Sequence, residues 1–175
     1  LYSLTTQSQQ RDAVSGLAPE AYFRQLLSQE VLRSSRYPQQ FSLLVIEPDG
    51  AEAWEEETLA NNMRALSLRI RDSIRMVDVV ARLGAYRLGL LLPHTGREAS
   101  VVADRLGQRT SGGMTLSIGL AIFPHDGGDE ASLEQRAIAG LLQAKSGGGN
   151  KVCRVKALAG KSAETKKTGN PQNPS

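Results

Sequence analysis

Arg75 and Asp78 stand three residues apart, between a helical stretch and an apolar, strand-like run. A guanidinium offers a planar fork of donors to a carboxylate, a phosphate or another planar acceptor, and it stacks on flat ring faces. A carboxylate within reach accepts hydrogen bonds from N–H groups of a ligand. The bland alternative is a solvated ion pair at a helix end, which contributes little. Two further acids, Glu47 and Asp49, close the apolar run 41–46. Acids at a strand end can hold a hard cation such as magnesium, or they can sit exposed on a loop.

Other candidates carry less. Gly127, Gly128, Asp129 and Glu130 precede a helical pattern, and acids in a first turn suit the helix dipole. Gly147, Gly148 and Gly149 follow a helix rather than precede one, which reads as a C-cap and turn and not as a phosphate cradle. His94 and His125 flank prolines in expected turns and have no metal-ligand spacing. Glu55, Glu56 and Glu57 read as a solvated helix start, and Trp54 as a packing residue. Tyr86 and Arg87 sit where a hairpin tip is expected, which makes them candidates for a partner surface. Cys153 reads as a small buried side chain in a last strand.

Composition narrows the function classes. A chain of 175 residues with 40% hydrophobic content can bury a sizeable core. The formal charge of +3 resides in the tail, where Lys156, Lys161, Lys166 and Lys167 face only Glu164. The body is therefore neutral, which argues against a nucleic acid polymer as partner. One cysteine permits no internal disulfide and fits a reducing compartment. The apolar runs are strand-sized, too short for a membrane span, and no secretory leader is legible. A cytoplasmic location is expected, with an anchor upstream of Leu1 left open.

The elements that must position these residues follow from periodicity. Residues 18–36 carry Tyr22, Phe23, Leu26, Leu27 and Val31 at helical spacing. Residues 55–74 place Leu59, Met63, Leu66, Ile70 and Ile74 on one face. Helices are also expected over 97–108 and 131–145. Strands are expected over 41–46, 77–83, 86–92, 114–123 and 151–155, the second and third forming a hairpin at Gly84 and Ala85. The order predicts a sheet packed by helices, α/β or α+β. The expected division is a linker over 1–11, one domain over 12–156 and a disordered tail over 157–175.

Five stretches in this order resemble the GGDEF domain, the bacterial diguanylate cyclase module. Residues 12–23 are similar to its opening D-x-L-T-G-L motif. Residues 43–50 are similar to its metal-bearing strand end, and 75–88 to its central R-x-x-D and hairpin. Residues 115–124 resemble V-S-I-G-V-A-x-x-P, and 144–152 resemble A-K-x-x-G-R-N-x-V. The resemblance implies a ferredoxin-like palm, a central, mostly antiparallel sheet of about five strands wrapped by helices.

The departures from the family pattern concern its chemistry. The hairpin that should read G-G-D/E-E-F reads Gly84, Ala85, Tyr86, Arg87, Leu88. Gly127 to Glu130 spell most of the family's name, but on the wrong element. Tyr86 is no magnesium ligand at neutral pH, and Arg87 brings a cation to the metal's place. The first metal aspartate falls at Glu47. The guanine-reading Asn and Asp after Asp49 and Gly50 are absent, and the segment is several residues short. The phosphate-binding arginine falls at Gly149, though Lys145 remains. No catalytic residue, metal or cofactor is expected.

What the resemblance preserves is the family's inhibitory site, an R-x-x-D six positions before the turn's first glycine, as Asp78 stands to Gly84. It implies that Arg75 and Asp78 bind cyclic di-GMP, with Arg105 of the following helix as the added arginine and Arg109 one turn later. The expected function is a catalytically inactive domain acting as a cyclic di-GMP receptor in signal transduction. A protein partner or fused signalling domain would receive the signal, and a homodimer is left open. The alternative is an interaction or dimerisation scaffold that binds no nucleotide. A residual cyclase ranks last.

Overall fold

A computed structural model describes residues 17–108 and 112–156. The opening motif up to Gly16, Arg109 and the expected tail lie outside the described residues. Ten elements follow in order: α1 (Glu20–Arg36), β1 (Phe41–Pro48), a single 3₁₀ turn (Ala51–Ala53), α2 (Glu56–Ser73), β2 (Val79–Arg82), β3 (Leu88–Leu92), α3 (Ala99–Gln108), β4 (Leu116–Phe123), α4 (Glu130–Ser146) and β5 (Lys151–Cys153).

The strands form one sheet in the order β2-β3-β1-β4-β5, antiparallel except for the parallel β4–β5 pair. β1 and β4 are buried along their whole length, which explains why they read as continuous apolar runs and not as alternating ones. Leu43 and Val45 face one side with Phe23 and Leu27 of α1 and Leu133, Ala137 and Leu141 of α4. Leu44 and Ile46 face the other with Met63, Leu66 and Ile70 of α2 and Ala103 and Leu106 of α3. Period-two alternation thus splits each apolar run between two cores. Phe41 and Phe123, direct partners across β1 and β4, stack with centroids 4.8 Å apart.

Local signals set the element ends. Pro38 restricts the residue before it, and Tyr37 is extended, so α1 stops at Arg36. The Gly-Gly-Asp-Glu string is a helix start: Asp129 accepts a 2.7 Å bond from Ser132 N–H, and Asp129 N–H in return donates to the Ser132 hydroxyl oxygen at 3.3 Å, a capping box. Gly147 caps the other end of α4, as its place after the helix predicts. Gly119 and Gly140 let α4 lie unusually close to the sheet. A Cβ on Gly119 would fall 1.8 Å from Ala137 O, and one on Gly140 2.4 Å from Cys153 O.

Three expectations are corrected. The hairpin strands are shorter than 77–83 and 86–92, because Asp78 N–H closes a turn on Arg75 O and Arg82 donates to the turn carbonyls of Gly84 and Ala85. β5 ends at Cys153, since Arg154 turns aside to Asp126, 2.7 Å away. Cys153 is consequently half-buried, not enclosed.

Candidate functional site

The candidate residues gather at opposite ends of the β1–β3 pair. Near the Ser42–Leu92 end lies a cleft of about 320 Å³ lined by Arg75, Asp78, His94, Thr95, Glu98 and Arg105, with Leu92 and Val102 as its apolar surface. The fold therefore brings Arg75, Asp78 and Arg105 together. α2 delivers Arg75 at its end, the turn into β2 delivers Asp78, and α3 delivers Arg105.

Asp78 is the buried partner, its side chain 4% exposed against 55% for Arg75. It accepts Arg75 backbone N–H at 2.8 Å, Arg75 Nη2 at 2.9 Å and Arg75 Nε at 3.3 Å. The hydrogen bond to Asp78 raises the pKa of the Arg75 guanidinium above its ordinary value. Arg75 Nη2 also donates to Pro93 O at 3.0 Å and Thr95 Oγ1 at 2.8 Å. Thr95 is itself pinned, because Ser42 Oγ of β1 donates to its carbonyl. Arg75 is thus held in one orientation, open to solvent on its outer side. Arg105 Nη2 donates to Ser73 O at 2.8 Å, which ties α3 to the end of α2 beside the cleft.

The other end holds a closed charge cluster. Glu47 is almost fully buried at the end of β1. Arg87 Nε donates to its Oε1 at 2.8 Å, and Lys145 Nζ to its Oε2 at 2.6 Å. That bond raises the pKa of Lys145. The Lys145 ammonium also lies 5.7 Å from the centre of the Tyr86 ring. Asp49 accepts from Thr115 Oγ1 and Ser117 Oγ, both at 2.6 Å, and from Asn150 N–H at 2.8 Å. Gly149 must lack a side chain here, since its φ is +72° and a Cβ would sit 2.7 Å from Asp49 Oδ1.

Two sequence expectations change at this end. Glu47 is not a loop-exposed acid, because β1 runs to Pro48 and buries it. Tyr86 and Arg87 are not a projecting partner surface. Tyr86 packs against the core, and Arg87 turns inward to Glu47. The histidines have partners: His94 Nε2 lies 3.0 Å from Arg33 Nη2, and His125 Nε2 lies 2.7 Å from Gln40 Nε2. Sequence reasoning missed His94, Thr95 and Glu98 as cleft residues. The sign available was their place straight after β3, the strand that pairs with the one following Asp78.

The fold and the cleft together define a nucleotide-cyclase-type palm. Residues 9–151 match the family model described as "Diguanylate cyclase, GGDEF domain", and the chain belongs to that family. The bifunctional diguanylate cyclase/cyclic di-GMP phosphodiesterase MucR of Pseudomonas aeruginosa is 29% identical over 142 residues, 73% of this chain and 21% of MucR. The chain thus spans about a fifth of that relative's length. Diguanylate cyclase SiaD of Pseudomonas aeruginosa, solved with its activator SiaC, superposes with a TM-score of 0.76 at 25% identity, covering 86% of this chain and 63% of SiaD. The GGDEF domain of DgcB from Caulobacter crescentus, solved with cyclic di-GMP, gives a TM-score of 0.74 at 21% identity, covering 83% and 95%. Among the described residues no helix is long and apolar enough to cross a membrane.

Proposed function

We propose that this GGDEF domain does not synthesise cyclic di-GMP but binds it, as a receptor whose state is read by a fused domain or a protein partner. The observation that carries the reading is the Arg75–Asp78 pair, fixed at the mouth of a cleft that also holds Arg105. Arg75 presents a fork for a guanine O6/N7 edge or a phosphate, and Asp78 accepts from N1–H and N2–H once Arg75 yields to the base. The DgcB complex supports a cyclic dinucleotide as the ligand class for this fold.

The opposite end supports the loss of catalysis. Both oxygens of Glu47 are engaged by protein cations, and Asp49 is saturated by two hydroxyls and an amide. Magnesium needs several hard oxygens in octahedral geometry. The described residues offer no cluster of three potential ligands, and Arg87 adds charge of the wrong sign. The residues present do not fit the metal. The receptor reading extends to a domain over 12–156, a flanking linker and tail, and a cytoplasmic setting.

Calorimetric titration with cyclic di-GMP tests the reading. Binding that disappears in Arg75→Ala and Asp78→Ala supports it. One observation favours a second reading, an interaction scaffold: Asp78 is already satisfied by Arg75, so a ligand must displace a formed ion pair. Flat titrations with cyclic di-GMP and GTP, together with a stable oligomer or a captured partner, would establish the scaffold instead.

A further inference from the structure

We propose that the outer face of α2 is a homodimer interface, onto which a second copy of this chain docks its own α2 in antiparallel orientation. The inference goes beyond the receptor reading and does not depend on it.

α2 buries Met63, Leu66, Ser67 and Ile70 against the rest of the fold. Its opposite face carries Glu57, Asn61, Arg64, Leu68 and Arg71, all exposed and alternately four and three residues apart. That spacing keeps them in one stripe along the helix. Leu68 stands in the stripe 48% exposed, an apolar side chain with no core to join. The charges are equally unengaged: among the described residues Glu57, Arg64 and Arg71 have no hydrogen-bond or ion-pair partner. Charges on a helix surface pair when they stand three or four residues apart. The positions at that distance from Arg64 hold Ala60, Asn61, Ser67 and Leu68, none of them acidic. The helix dipole accounts for acids in the first turn, but it fades beyond that turn and explains neither Arg64 nor Leu68.

The order of the charges identifies the occupant. Glu57 and Arg71 stand seven residues on either side of Arg64. Antiparallel helices related by a two-fold axis at Arg64 therefore set Glu57 of each copy opposite Arg71 of the other. Leu68 of each copy falls opposite Ala60 of the other and covers the aliphatic stem of its Arg64. The two Arg64 guanidinium groups, which meet at the axis, find acceptors in the Asn61 side chains one turn away. The arrangement also opposes the two helix dipoles. A parallel pairing would set acid against acid and base against base, and a partner of a single charge sign would satisfy only half of the stripe. A second copy run in reverse satisfies all of it. With one leucine on each side the contact is small and largely ionic, so the association is weak and salt-sensitive.

Sedimentation equilibrium of the full chain, from about 5 to about 500 μM, at low salt and at roughly 0.5 M salt, is the test. The wild type is expected to show a reversible monomer–dimer equilibrium with a dissociation constant of about 10–100 μM at low salt, weakened about tenfold or more by the added salt. Arg71→Glu and Glu57→Arg each set like charges opposite one another and are expected to weaken the dimer about tenfold or more. The double variant restores both pairs with their signs exchanged and is expected to return to within about threefold of the wild type. Arg36→Glu, an exposed position on α1, changes the net charge as Arg71→Glu does and is expected to leave the dimer unchanged. A wild type that stays monomeric throughout, a double variant as weak as the single ones, or an Arg36→Glu variant as weak as Arg71→Glu would overturn the interface. Cyclic di-GMP binding is titrated separately, so none of these outcomes decides the receptor reading.

Discussion

Arg87 reaches back 40 residues to hold a single oxygen of Glu47, with Nε at 2.8 Å and Nη2 at 2.7 Å. Lys145 takes the other oxygen from α4, 98 residues away in sequence. A buried carboxylate at the end of β1 is thereby neutralised by two side chains, where the family pattern places acids around a metal. Removing one partner of a buried pair leaves a charge without full compensation. Arg87→Ala is expected to lower stability by about 1–3 kcal/mol, with Lys145 retaining part of the interaction. Urea unfolding of the two proteins measures the difference.

On the proposed reading, magnesium does not act in that cluster. Thermal unfolding of the wild type is expected to be the same with millimolar magnesium as with chelator, because a ligand that binds neither state shifts nothing. GTP incubated with magnesium or manganese is expected to give no cyclic di-GMP by chromatography.

Among the described glycines, Gly119 is the one where an added Cβ would meet its neighbours most closely. An added methyl would stand 1.8 Å from Ala137 O and 2.4 Å from Leu141 N, and both are helix backbone that has no flexible end to swing away. Gly119→Ala is expected to force α4 off the sheet and cost about 2–3 kcal/mol or more. Gly128→Ala, with nothing within 4 Å, is the control and is expected to change stability by less than about 0.5 kcal/mol.

Glu134 supplies the acid-side dependence. Its carboxyl is held below the ordinary value chiefly by the hydrogen bond from Arg24, which joins α1 to α4 at 2.6 Å. A depressed folded-state pKa means that the contribution is present above the unfolded value, near 4.5, and is lost as pH falls through the lower folded value. Stability should therefore fall less steeply from about pH 5 to pH 3 in Glu134→Gln than in the wild type. Unfolding curves collected across that range provide the comparison.

Much of the fold was legible because its signals are local. The period of α2, the apolar runs of β1 and β4 and the helix start near Asp129 each depend on residues close in sequence, although the sequence placed Asp129 in the first turn and the structure makes it the N-cap. The Arg75–Asp78 pair was legible for the same reason, being three residues apart and in register with the hairpin. Arg87 was misread because its partner is set by topology. Only the pairing of β3 with β1, Leu88 opposite Ile46, brings Arg87 beside Glu47. Glu98 escaped notice likewise: Arg75 and Asp78 come to the cleft from the turn between α2 and β2, and His94 and Thr95 from the turn after β3, and no spacing along α3 announces them. The strand ends were overextended because Val77 and Tyr86 favour strands intrinsically, while the turn bonds of Asp78 and Arg82 take their backbone out of the ladder.

In the proposed receptor, Arg75 and Asp78 bind the cyclic dinucleotide. Loss of Arg75 removes charge-assisted bonds worth about 1.5–3 kcal/mol each, and Arg75→Lys keeps the charge but not the fork. Titration calorimetry of wild type, Arg75→Ala, Arg75→Lys and Asp78→Ala with cyclic di-GMP is the direct measurement. Micromolar or tighter binding by the wild type and a loss of at least about tenfold in every variant are expected. Binding that persists undiminished in Arg75→Ala and Asp78→Ala, or a wild type that gives no heat, would contradict the receptor reading.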